Sequence, residues 1–234
     1  MLESGHLSHV GLRRDLNEDT YHGDNQLGLW LIADGMGGQG GGERASALAR
    51  ETVVAEVSKG SALVAAILRA DDKIRQASQR CHDSLPIGST IVAARVQQES
   101  YEIAWVGDSR AYLWEHGRLL RVRQAPRPGA LTTPAPGAEP APERPQPQRN
   151  VATHTLGITD PSLLSVATTQ GELQPGMQLL LCSDGLTEQV NDRTLAAILA
   201  DTACSAQESV DRLVAAALES GGNDNITVVL VRCH

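Results

Sequence analysis

Four aspartates in this chain share one setting. Asp34 follows the apolar run Leu29-Trp30-Leu31-Ile32-Ala33, and Asp184 follows Leu179-Leu180-Leu181-Cys182-Ser183; each closes an apolar stretch and precedes a glycine. Asp224, in Gly221-Gly222-Asn223-Asp224-Asn225, stands just before the β-branched run at 226–231. Asp19, in Arg14-Asp15-Leu16-Asn17-Glu18-Asp19, stands before the segment at 21–33. Carboxylates at strand ends are held by a sheet yet reach solvent, and hard divalent cations want oxygen ligands of this kind. Four such groups carry roughly four negative charges, which two divalent ions would balance. A single Asp-Gly is most simply a turn, but four carboxylates in one setting point to a metal centre.

Apolar periodicity supplies the elements that must position them. Residues 21–33 read as strand, ending in the buried run before Asp34, and residues 34–42, rich in glycine, read as loop. Two helices follow. The first, at 43–58, places Ala45, Leu48, Ala49, Thr52, Val53 and Val57 on one face and is stopped by Gly60. The second, at 62–82, has Ser61 as its N-cap. Segments 89–96, 101–106, 111–114 and 119–122 have strand character and are split by turn residues, the pattern of an antiparallel meander. Residues 124–149 hold eight of the chain's eleven prolines and are expected to form a mobile, extended loop. Strands near 163–169 and at 178–182, helices at 192–200 and 206–219, and a last strand at 226–231 complete the chain. Blocks of strands and helices, rather than strict alternation, predict an α+β fold, with residues 1–234 as one domain.

Composition narrows the function classes. The net charge is −8, which disfavours a nucleic-acid backbone as partner. The four cysteines, Cys81, Cys182, Cys204 and Cys233, show no CxxC spacing, so neither a zinc site nor a redox motif is expected. No stretch approaches the length of a membrane span, and residues 1–10 lack the basic and apolar regions of a signal peptide. The expectation is a cytoplasmic protein with free, mostly buried thiols. The glycines after Asp34 are not followed by Gly-Lys-Ser/Thr, so a nucleotide loop is not indicated.

Seven motifs, in order, resemble the type 2C metal-dependent protein phosphatases, in their bacterial stand-alone form. They are Arg14-x-x-Asn17-Glu18-Asp19, Ala33-Asp34-Gly35-Met36-Gly37-Gly38, Gly88-Ser89-Thr90, Val106-Gly107-Asp108-Ser109-Arg110, Gln148-Arg149-Asn150-Val151, Ser183-Asp184-Gly185-Leu186 and Gly222-Asn223-Asp224-Asn225-Ile226-Thr227. Each is weak alone; the ordered set is specific. The resemblance implies a four-layer α-β-β-α sandwich, two antiparallel sheets flanked by helix pairs. It implies a protein serine/threonine phosphatase in which a water bridging two Mn²⁺ or Mg²⁺ ions attacks phosphoserine or phosphothreonine. Asp34 would bridge the ions, helped by the Gly35 carbonyl. Glu18, through water, and Asp19 would belong to the same centre. Asp184 and Asp224 would hold the second ion. Asp108 matches a position that joins Asp184 at a third, weaker metal. Arg14 matches the phosphate-binding arginine. The implied partners are phosphorylated proteins, substrates of a cognate Ser/Thr kinase, sometimes one controlling a secretion apparatus. No nucleic acid or membrane is implied, and a monomer is expected.

Two departures stand out. Met36 occupies the place where many eukaryotic members have a histidine thought to protonate the leaving group, and a thioether cannot donate a proton. Residues 124–126, Gln-Ala-Pro, replace the Asp-His-Ser that introduces the helical flap of bacterial members, which bears on substrate selection and on the third metal. A non-catalytic relative acting as a binding module would tend to have lost metal-site aspartates, and this chain keeps every one. A phosphatase of small phosphoesters is the remaining alternative, with the altered flap as its support.

Overall fold

The computed structural model describes residues 1–38, 40–80, 86–122 and 154–234. The mobile-loop expectation for 124–149, the Gln148–Val151 motif and Cys81 lie outside the described residues.

The chain runs β1 (Leu2–His9), β2 (Asp19–Asp24), β3 (Leu29–Met36), α1 (Gly41–Ser58), α2 (Leu63–Gln79), β4 (Gly88–Ser89), β5 (Ile91–Gln97), β6 (Ser100–Val106), β7 (Arg110–Glu115) and β8 (Arg118–Arg121). It continues with β9 (Ala167–Glu172), β10 (Gln178–Cys182), α3 (Asp184–Thr187), α4 (Asp192–Leu199), α5 (Ala206–Glu219) and β11 (Ile226–Cys233). Two antiparallel sheets result. One has the order β1-β11-β10-β7-β8, and the other β2-β3-β5-β6-β9, with β4 paired to β3.

Strand alternation builds the layers, because successive side chains leave opposite faces of a sheet. On β3, Leu29, Leu31 and Ala33 pack under α1 and α2. Trp30 and Ile32 point the other way and meet Leu179, Leu181, Val229 and Val231 of the facing sheet. From that sheet, Leu180, Cys182, Val228 and Leu230 pack against Leu195, Val210 and Leu213 of α4 and α5. The order is therefore helix, sheet, sheet, helix, the expected α+β sandwich.

Several local expectations change. The strand character of residues 21–33 resolves into a hairpin of β2 and β3. Asp24 accepts the backbone N–H groups of Gln26 and Leu27 at 2.7 and 2.9 Å and tightens its turn. β3 does not stop before Asp34 but runs on through Met36, because Gly35 and Met36 find partners in Ser89 and Gly88. Gly41 and Gly42, read as loop, are helical. Ser61 does not cap α2. Its N-cap is Ala62, and the Ser61 hydroxyl binds Glu56 at 3.3 Å. The meander is two hairpins in different sheets, β5/β6 and β7/β8, and the chain crosses between sheets at Gly107-Asp108-Ser109. Of the described cysteines, all free, only Cys182 is buried. Among the described residues no helix is long and apolar enough to cross a membrane.

Candidate metal centre

The two sheets bring their acidic termini to one end of the sandwich. Asp19 opens β2 and lies directly across from Asp34 on β3. The Asp34 carbonyl accepts from Thr90 N at 2.8 Å and Ser89 Oγ at 3.1 Å, so β4 and the residue that joins it to β5 hold its backbone. In the facing sheet β10 and β11 are antiparallel neighbours, which sets Asp184, just past the end of β10, beside the loop that carries Asp224. Asp108 sits at the crossing between sheets, where Thr90 and Ser109 share a buried hydroxyl pair at 2.9 Å.

Electrostatics tie these groups into one cluster. Burial holds the Asp34 carboxyl well above the usual range, and repulsion from Asp19, Asp184, Asp108 and Asp224 adds to it. Burial pushes Asp184 up to about 7, helped by Asp108, Glu188, Asp224 and Asp19. Asp19 rises to about 6 through burial, while hydrogen bonds from Thr227 and Ser183 oppose the shift. Burial also raises Asp108, against the pull of backbone N–H groups and Arg110. A set of carboxylates this costly to ionise together calls for a cation.

The remaining predicted residues border the same place. Arg14, on the loop between β1 and β2, donates from Nη2 to Asp224 Oδ2 at 2.6 Å, and over half of its side chain faces solvent. Glu18 Oε1 accepts from Gly42 N at 3.1 Å and so closes the N-terminus of α1, whose own N-cap is Gly40, without a side chain. This junction needs glycine: a Cβ on Gly35 would overlap the Gly42 carbonyl oxygen, and one on Gly42 would overlap the Glu18 carboxylate. A cavity of about 250 Å³ results, lined by Arg14, Glu18, Asp34, Gly35, Met36 and Asp224 among others.

These donors suit a hard cation. All are oxygens, with no sulfur or imidazole among them. Among the described residues, however, no three His, Cys, Asp or Glu side chains converge closely enough to hold one ion alone. Mutual repulsion and coordination differ in reach, so both findings stand: the carboxylates share a field without sharing a tight shell. Magnesium-type sites commonly take one or two carboxylates and complete the shell with other oxygens, and the Gly35 carbonyl and water are such oxygens.

The family model for protein phosphatase 2C matches residues 10–220. The chain belongs to the protein phosphatase 2C family. It is 32% identical over 228 residues to the serine/threonine protein phosphatase PstP of Mycobacterium tuberculosis, covering 94% of this chain and 43% of PstP. It thus spans under half the length of that relative. It is 30% identical over 255 residues to the serine/threonine phosphatase stp of Listeria monocytogenes, covering 95% of each. Among solved structures it resembles PppA, a regulatory component of the type VI secretion system in Pseudomonas aeruginosa, with a TM-score of 0.81, 28% identity and coverage of 100% and 98%. It also resembles the catalytic domain of PstP in complex with two manganese ions, with a TM-score of 0.80, 28% identity and coverage of 99% and 97%.

Within this phosphatase 2C fold, sequence reasoning gave individual roles to neither Asn225 nor Thr227. Asn225 Nδ2 donates to the carbonyls of Val10 and Leu16 at 2.8 and 2.9 Å, and its Oδ1 accepts from Glu18 N at 2.8 Å. It pins the loop that carries Arg14 at both ends. Thr227 donates to Asp19 Oδ2 at 2.7 Å. Both lie inside the Gly222–Thr227 motif, which was the only sequence signal for them.

Proposed function

We propose that this chain is a protein serine/threonine phosphatase that hydrolyses phosphoserine and phosphothreonine esters with the help of two divalent cations. The observation that carries the reading is the end-of-sandwich cluster in which Asp19, Asp34 and Asp184 are raised by burial and by repulsion that includes Asp224, with the Arg14 guanidinium paired to Asp224. Asp34, whose carboxyl is repelled by Asp19, Asp184, Asp108 and Asp224 alike, would hold both cations with help from the Gly35 carbonyl; Asp19 and Glu18 would belong to the same centre, and Asp184 and Asp224 would hold the second ion. When bound, the cations neutralise these carboxylates and supply a water acidified enough to act as nucleophile at neutral pH.

The chain's own groups do the rest. Arg14 presents a planar fork that can hold two phosphoryl oxygens and offset charge as it develops. Its contact with Asp224 keeps it aimed at the cavity. Met36 lines the cavity and offers no proton, so the departing serine or threonine oxygen takes its proton from solvent. Asp108, with its raised carboxyl near Asp184, is placed to serve a third, weaker ion. Manganese and magnesium both fit oxygen donors. Phosphoproteins made by a partner Ser/Thr kinase in the cytoplasm are the substrates this reading entails, with the phosphatase acting as a monomeric domain over residues 1–234.

The test is hydrolysis of p-nitrophenyl phosphate and of a phosphothreonine peptide with Mn²⁺, with Mg²⁺ and with excess EDTA, for wild type, Asp34→Asn and Asp184→Asn. Metal-dependent turnover lost in both variants is expected. Folded wild-type protein inactive in every metal would overturn the catalytic reading.

A further inference from the structure

A directed chain of hydrogen bonds ends on Asp19. Thr227 Oγ1 lies 2.7 Å from Asp19 Oδ2. An ionised carboxylate only accepts, so the single Thr227 proton is spent there. Ser8 Oγ lies 2.8 Å from Thr227 Oγ1, so Ser8 must be the donor in that pair. Asn17 Nδ2 in turn donates to Ser8 Oγ at 2.9 Å, while Asn17 Oδ1 accepts the Asp19 backbone N–H at 3.1 Å. Those two bonds fix the orientation of the Asn17 amide, so each donor in the series has one direction available.

The chain draws on β1 for Ser8, the β1–β2 loop for Asn17, β11 for Thr227 and β2 for Asp19. Thr227 is itself clamped: its N–H donates to Ser183 Oγ at 3.0 Å, and its carbonyl accepts from Ser183 N at 3.0 Å. Ser183 adjoins Asp184. One backbone clamp therefore sets a carboxylate from each sheet. Ser8, Asn17 and Asp19 all line a polar groove between the sheet edges, while Thr227, which links them, is fully buried.

We infer that Thr227, oriented by Ser8 and Asn17, is the positioning residue that presents the Asp19 carboxylate to a divalent cation. Groups of this kind, which touch a ligand rather than the ion, fix ligand orientation and commonly change metal affinity 10–100-fold when removed. The inference rests on the two-ion reading above, and a binding measurement without substrate separates the two.

Mn²⁺ binding is measured by isothermal titration calorimetry on wild type, Thr227→Val and Thr227→Ser, with metal-free melting temperatures alongside. Thr227→Val keeps the shape and removes the donor; its dissociation constant should rise by about 10–100-fold, and Thr227→Ser should restore affinity to within about threefold. A lowered melting temperature with an unchanged dissociation constant in Thr227→Val would mean the chain only ties strands together, and would overturn the inference. Should Thr227→Val fail to fold, Ser8→Ala is read in the same way: a dissociation constant raised several-fold supports the inference, and an unchanged one overturns it. Wild type that binds no Mn²⁺ would instead sink the two-ion reading itself.

Discussion

The two helix layers of the sandwich are closed in opposite ways. α5 carries its own capping box: the Ser205 hydroxyl accepts from Glu208 N at 3.2 Å, and Glu208 accepts from Ser205 N at 2.8 Å. α4 is capped by Asn191, which accepts from Thr194 N at 3.0 Å. In the other layer neither α1 nor α2 has a side-chain cap at its N-cap residue. α1 is closed by Glu18, from the rim of the candidate metal centre, and glycine takes the place of a local cap. Remote from the site, neighbouring residues cap α4 and α5; at the site, Glu18, a group with another use, closes α1 over a longer sequence distance. The difference separates what serves stability from what serves chemistry.

Four experiments would break or sharpen that contrast. The largest effect is expected from Asp34→Asn. Turnover should fall by about two to three powers of ten or more, the scale seen when one preorganised electrostatic group is lost. The metal-free melting temperature should hold or rise, because repulsion with Asp19 and Asp184 is relieved. A large fall in melting temperature would place Asp34 among the stabilising residues and erase the contrast.

Next is Asp71→Ala in α2. Asp71 is buried, pairs with Arg75 at 3.0 Å and accepts from Gly157 N at 2.6 Å, while Arg75 reaches the Thr159 carbonyl at 2.7 Å. Breaking a buried pair of this kind costs about 3–5 kcal/mol. Because Leu156 bridges to Ser89, one strand from Asp34, activity should fall as well. Urea unfolding and turnover, measured together, check both parts.

Ser205→Ala comes third. It should cost about 1 kcal/mol, roughly a 2–4 °C drop in melting temperature at this chain length, with turnover unchanged at saturating metal. A comparable loss of activity would show that the far layer is not independent of the site.

The smallest effect is on pH. The folded-state values of Asp19 and Asp184, about 6 and about 7, lie above the ordinary 3.8. The folded state thus holds these protons more tightly than the unfolded state. Their stabilising contribution is full below about pH 4 and is lost as pH rises through 6–7. Metal-free protein should therefore melt lower at pH 7.5 than at pH 5.5, and Mn²⁺ should narrow the gap. A melting temperature that rises across this window would contradict the clustering of these carboxylates.

Much of this was legible in residue order. α5 occupies the predicted 206–219 and α4 nearly so, because amphipathic periodicity is a local signal. The acidic motifs marked the candidate site, since residue type and flanking strands were enough to suggest oxygen ligation. The extension of β3 through Asp34-Gly35-Met36 was not legible. Those residues have loop composition, and their strand partners lie more than fifty positions away at Gly88 and Ser89. Nor could the strand run at 89–122 reveal its split between sheets, since both hairpins carry the same alternating pattern. Asn225 and Thr227 escaped individual notice for the same reason, as each acts on residues about two hundred positions away.

By itself, then, the sequence determined where the longer helices lie, which strands are apolar enough to be buried, and which carboxylates flank apolar runs. Those depend on periodicity and nearest neighbours. Tertiary structure alone decided that the carboxylates share one field, that Glu18 closes α1, and that a chain of hydroxyl and amide donors converges on Asp19. Such facts arise from packing two sheets face to face, which joins groups far apart in the chain at distances only the folded state sets.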